Sequence, residues 1–175
     1  MNTMSLCNEM RMYQPVPFED YKNITADRVD CEERYQVIKK NYGSFAGKMM
    51  YDLCSANCYF GFRFLQDGGN LVMAIEKDES VRKFVNQLAE EKQVSLICCK
   101  EPIDGEMIYD IGLYLDSHYH EGTDGYIEHM KKRCKTVFTS PSADNEKYLS
   151  KLKTLFQDIE EIYNGYCGRK MYKCW

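Results

Sequence analysis

Short apolar runs separated by turn-forming residues organise the chain beyond residue 48. Residues 49–53, 71–75, 94–99, 107–115 and 135–139 are nearly continuous in apolar character rather than alternating, the pattern of strands buried on both faces. Between them the spacing changes to that of helices. Residues 57–66 carry Tyr59, Phe60, Phe62 and Phe64, and Asp78 stands as an N-cap before Val81, Phe84, Val85 and Leu88. Further helical sequence surrounds residues 126–133, and Asp144 precedes Tyr148, Leu149, Leu152, Leu155 and Phe156. Upstream, Tyr35, Ile38 and Tyr42 follow Cys31, Glu32 and Glu33 at helical spacing and stop before a turn at residues 43–47. Residues 159–163 and 170–175 flank Asn164, Gly165 and Gly168 as the arms of a hairpin.

This order predicts one helix, five strand-and-helix units and a terminal hairpin. The fold class is therefore α/β: a doubly wound, mostly parallel seven-stranded sheet with an antiparallel last strand at its edge. Residues 1–30, with Pro15 and Pro17 and no sustained period, read as an irregular N-terminal arm, and residues 31–175 as a single Rossmann-like domain. Sheets of this class bind ligands beyond the carboxyl ends of their strands. The turns after the first, second and fourth strands are thus the expected site.

Composition narrows the class further. With 175 residues, 44% hydrophobic and 29% charged, the chain can fill an ordinary core without staples. No apolar stretch approaches the roughly 20 residues of a membrane span, and residues 1–12 lack the plan of a signal peptide, so the expected location is cytoplasmic. Nine cysteines without paired spacing read as reduced thiols acting as small hydrophobes. No metal is expected, because the spacing Cys54-x3-Cys58 lacks two further close ligands. A net charge of −4 advertises no nucleic-acid surface, and the basic group Lys131, Lys132, Arg133 and Lys135 reads as a solvated helix end. Residues 43–48 have the wrong spacing for a phosphate loop, and G-x-G-x-x-G and G-x-S-x-G are both absent.

The segment Asp52-Leu53-Cys54-Ser55-Ala56-Asn57-Cys58-Tyr59-Phe60, followed by Gly68-Gly69-Asn70-Leu71-Val72-Met73-Ala74-Ile75-Glu76, resembles the first two motifs of class I S-adenosylmethionine-dependent methyltransferases. Residues 109–118 look like that family's fourth strand and residues 168–172 like its last, so the resemblance covers about residues 32–175. It departs from the pattern at Cys54 and Cys58, where the family usually has glycine. A Cβ there strains a turn that needs positive φ, or fills cofactor space.

The resemblance implies S-adenosylmethionine as cofactor. Asp52, Cys54, Ser55, Asn57 and Cys58 would form its loop, Glu76 would hold the ribose hydroxyls, and Glu101 would lie near the adenine. Glu76 can alternatively cap the following helix, and Asp52 either meets the amino group of the methionine part or only orders the turn. His118, His120 and Asp116, at and just after the end of the fourth strand, are the candidate catalytic residues, a histidine there being able to take a proton from a nucleophile. Acceptor recognition falls to the arm, particularly residues 13–21, and to residues 117–125, which suits a small molecule, a glycan or a protein; the oligomeric state is not legible. Two other functions stay open: a non-catalytic methyltransferase-like binding or scaffold protein, and a metabolite-binding enzyme of different chemistry on the same sheet.

Overall fold

The structure, a computed structural model, describes residues 3–4, 11–103, 105–116, 125–141, 145–165 and 168–175. Seven strands form one sheet: β1 (Met49–Leu53), β2 (Leu71–Ile75), β3 (Leu96–Cys99), β4 (Tyr109–Leu115), β5 (Cys134–Ser140), β6 (Ile159–Asn164) and β7 (Lys170–Cys174). Their order is β3-β2-β1-β4-β5-β7-β6. The pairs β2–β3, β1–β2, β1–β4 and β4–β5 are parallel, whereas β7 runs antiparallel to both β5 and β6. The antiparallel last strand is therefore present but sits one place in from the edge, because β7 folds back between β5 and β6.

Among the described residues five α-helices of eight residues or more accompany the sheet: α1 (Cys31–Tyr42), α2 (Tyr59–Gln66), α3 (Glu79–Glu91), α4 (Tyr126–Arg133) and α5 (Asn145–Leu155). Alternation along the strands divides the core in two. Met50, Val72, Ala74, Ile111, Leu113 and Phe138 face α1, α2 and α3, while Tyr51, Leu53, Met73, Ile75 and Val137 face α4 and α5. In α3 the Asp78 carboxylate accepts from the Ser80 and Val81 N–H groups, which starts the helix, and Phe84, Val85, Leu88 and Ala89 form its buried stripe. Burying Phe84, Val85 and Leu88 stabilises the fold by about 1.5–3 kcal/mol each. The arm holds a short 3-10 helix, Glu19–Tyr21, and inserts Met12, Val16 and Tyr21 into the first core.

The expectation of five strand-and-helix units fails at the third. No helix is found between β3 and β4 among the described residues; the chain crosses β2 and β1 in the short segment 100–108. Ile97 on β3 is consequently half exposed, at 49%. The free edge of β3 is nonetheless occupied. Asn86 of α3 donates through Nδ2 to the Cys98 carbonyl at 2.9 Å and accepts the Cys98 N–H on Oδ1 at 2.8 Å, as a neighbouring strand would. The described cysteines are all free thiols, and most are buried. Among the described residues no helix is long and apolar enough to cross a membrane.

Candidate active site

The carboxyl ends of β1, β2 and β4 converge with the arm. Past β1, the backbone turns through Cys54 at φ 59°, Ala56 at φ 47° and Cys58 at φ 59° before entering α2. Three non-glycine residues in the left-handed region within five positions cost about 1–2 kcal/mol each, so the surrounding structure must impose the conformation. Two contacts do so. The Ser55 N–H donates to the Ile75 carbonyl at 3.0 Å, and the Ala56 N–H donates to Glu76 Oε2 at 2.9 Å, fixing the loop to the end of β2.

The thiols lie aside from this loop's open surface. Cys58 is fully buried, and its sulfur points into the interface between α2 and β2, next to Gly61. Cys54 is half-buried and packs against the second core. Burial pushes the Cys58 thiol well above its ordinary pKa, so it is an inert packing group.

Glu76 is half-buried. Its Oε1 accepts the Asp78 N–H at 2.9 Å, and its Oε2 accepts from Ala56, so two backbone donors hold the carboxylate in one orientation. Each oxygen keeps a further lone pair for a ligand hydroxyl. The helix cap expected as its alternative role belongs to Asp78.

Asp52 is buried at the end of β1, and burial, aided by the charge of Glu76, raises its pKa to about 8. Asp52 Oδ2 is buried without a hydrogen-bond partner, and Ser55 Oγ, also buried, meets only the thiols of Cys58 and Cys98, which are weak partners. A carboxyl oxygen left unsatisfied beside a strained loop is the group that a cationic amine would engage, and a hydroxyl held only by thiols can turn to a ligand carboxylate.

Asn57 turns away from the strand ends and holds the arm. Its Oδ1 accepts the N–H groups of Tyr13 at 3.0 Å and Gln14 at 2.9 Å, while the Tyr59 N–H donates to Gln14 Oε1 at 3.0 Å. Past β4, Asp116 also has a left-handed backbone, φ 57°. Its Oδ2 accepts from Arg34 Nη1 at 2.6 Å and from Arg28 at 3.1 Å, and its Oδ1 accepts from Ser140 Oγ at 2.9 Å. Burial opposes ionisation there, but Arg34, Arg28 and Ser140 outweigh it and hold the carboxyl below its usual range. Arg28 also bonds Asp30 at 2.9 Å and the Tyr13 hydroxyl at 2.9 Å, tying the arm to β4.

The structure thus brings Asp52, Ser55 and Glu76 together, with Asn57 and Asp116 linking the arm to either side. Glu101 is exposed on the crossover, 3.8 Å from Lys100, and its charge, like that of Cys54, acts on the Tyr126 hydroxyl. His118 and His120 lie outside the described residues. Sequence reasoning missed Ala56, whose N–H carries the contact to Glu76; its signal was its place between two cysteines at glycine positions. It also missed Arg28 and Arg34, which have no local sequence signal, because their partner lies 88 and 82 residues away.

No protein-family model matches the sequence, and no curated protein matches it. Solved structures do. WbdD, described as a bifunctional kinase-methyltransferase, superposes with a TM-score of 0.78 at 16% identity over 99% of this chain and 47% of its own. The chain thus spans about half the length of WbdD. Magnesium protoporphyrin IX methyltransferase from Synechocystis PCC 6803, solved with bound S-adenosylmethionine, matches with a TM-score of 0.70 at 15% identity, over 98% of this chain and 91% of its own. Together with the strand order, these likenesses show that the chain has the fold of the class I S-adenosylmethionine-dependent methyltransferases.

Proposed function

We propose that the protein binds S-adenosylmethionine at the ends of β1 and β2 and transfers its methyl group to a small-molecule, glycan or protein acceptor. The observation that carries this reading is the loop at residues 54–58. It keeps left-handed backbone at Cys54, Ala56 and Cys58 without glycine, anchored by the Ala56 N–H on Glu76. Strain retained at a ligand loop fits a working site better than a relic, in which ordinary backbone would be free to return.

When bound, the cofactor supplies a methyl group on a sulfonium, an electrophile with a good leaving group. The protein's own residues position and exclude. Glu76, oriented by two backbone donors, accepts ribose hydroxyls; Asp52 and Ser55 answer the amino-acid end. Residues 12–14 of the arm, held by Asn57, wall the loop from solvent. Asp116, kept ionised by Arg34 and Arg28, is a positioning residue that fixes the end of β4. His118 or His120, just beyond it, takes the proton from the acceptor's nucleophile.

Calorimetric titration with S-adenosylhomocysteine tests this. Saturable binding, weakened about tenfold or more in Glu76→Ala, is expected, since a charge-assisted bidentate contact is lost. Absence of binding to the folded wild type would overturn it in favour of a non-catalytic scaffold.

A further inference from the structure

The amino ends of β4 and β5 carry a second concavity, on the opposite rim of the sheet from Glu76 and Asp52. A cavity of about 370 Å³ opens there between the β3–β4 crossover and the last turn of α4, lined by Ile103, Glu106, Ile108, His129, Lys132 and Arg133. Tyr109 and Cys134, the first residues of β4 and β5, are paired beneath it. A strand of seven residues spans ~20 Å, so this cavity is separate from the loop at residues 54–58.

Arg133 sets it apart from a solvated helix end. Its side chain is buried, only 8% exposed, yet its Nε has no hydrogen-bond partner. The guanidinium lies over the Tyr109 ring at 6.0 Å, and no carboxylate pairs with it among the described residues. Glu106 lines the same cavity, but it is exposed and makes no ion pair with Arg133 or Lys132 among the described residues. His129 is turned to the Tyr51 hydroxyl at 3.2 Å. A buried arginine with an unused donor is costly unless an acceptor meets it, and its planar fork suits two oxygens of one oxyanion. Lys132 adds a second cation at the mouth.

The volume and the walls define the rest of the ligand. A site at the small end of the ~300–1,000 Å³ range of ligand pockets holds more than a bare ion. Ile103 at 43% and Ile108 at 45% exposure offer an apolar surface beside the cation. We propose that this cavity is a second ligand site, which binds the oxyanion head of a small organic phosphate or carboxylate on Arg133 and Lys132, with its apolar body against Ile103 and Ile108. The site stands independently of the methyl-transfer reading.

Titrations of the ¹⁵N-labelled chain with phenyl phosphate, benzoate and inorganic phosphate test it, followed at the Arg133 Nε–Hε resonance. Saturable shifts are expected, with at least one organic anion bound several-fold more tightly than inorganic phosphate. Tighter binding of phenyl phosphate upholds the site and identifies a phosphate head; tighter binding of benzoate upholds it and identifies a carboxylate. Lys132→Gln should weaken binding about tenfold, the usual worth of one charged hydrogen bond, and Glu106→Gln should tighten it. Both positions are exposed, so neither substitution threatens the fold. The site is overturned if no probe gives a saturable shift, if inorganic phosphate binds as tightly as both organic anions, or if both variants bind like the wild type. S-adenosylhomocysteine should leave the Arg133 resonance in place, so failure here and failure of the methyltransferase reading are read from different signals.

Discussion

The Cys58 sulfur fills the space that a side chain at Gly61 would need: a β-carbon at Gly61 would lie 2.6 Å from Cys58 Sγ and 3.0 Å from Val72 Cγ1. The cysteine at a left-handed position and the glycine one helical turn later are therefore two halves of one packing solution. Gly61→Ala should destabilise the fold by about 1–3 kcal/mol through overpacking. In Cys58→Gly/Gly61→Ala the sulfur is gone and alanine favours the helix, so the double variant should be more stable than the sum of the singles by ~1 kcal/mol or more. Urea denaturation of all four proteins measures the coupling; strict additivity would show that the two sites do not share this space.

Asp52 makes stability fall as pH rises. Its folded pKa, raised by burial to about 8, lies above that of an unfolded aspartate. The folded chain therefore holds a proton that the unfolded chain releases, and this contribution is complete in acid and disappears between about pH 4 and pH 8. Asp52→Asn keeps the shape without the charge. Thermal unfolding from pH 5 to 9 should show a falling wild-type profile and a flatter one for the variant, which should be the more stable at pH 9.

Asp116 works in the opposite sense. Its folded carboxyl titrates below the ordinary range, so its stabilisation is present at neutral pH and lost as pH falls through that lowered value. Asp116→Ala leaves Arg34, only 2% exposed, as an uncompensated buried charge and should cost about 3–5 kcal/mol at pH 7. Denaturant unfolding at pH 7 checks the cost; a loss below ~1 kcal/mol would show that the arginines find other partners.

Ligand binding should release a proton near neutral pH. At pH 7 Asp52 is mostly protonated, and a cationic α-amino group beside it favours the carboxylate. Calorimetry of S-adenosylhomocysteine in buffers of different ionisation enthalpy should report the release, and Asp52→Asn should abolish it. Identical heats in all buffers would place the amine elsewhere.

The parts legible in the sequence were those with local signals. Apolar runs marked the strands, Asp78 announced α3 by its position before an amphipathic stretch, and Glu76 followed a buried strand at the place where ligands gather. Long-range choices left no such mark. Arg34 lies in α1 between residues whose spacing predicted an apolar stripe, and it is buried because Asp116 arrives from β4. Asn57 looked like a loop ligand, yet the N–H groups of Tyr13 and Gln14 claim it. That no helix follows β3 among the described residues was hidden because parallel strands usually need one to return, whereas here nine residues join β3 to β4.

The amide of Asn86, bonded to both backbone groups of Cys98, also shapes one border of the sheet. At the other rim, β6 carries Glu160 and Glu161 and an irregular register near Tyr163. A side-chain amide seated where a further strand would pair with Cys98, and charges with a broken register on β6, are both features that disfavour the addition of a foreign ribbon.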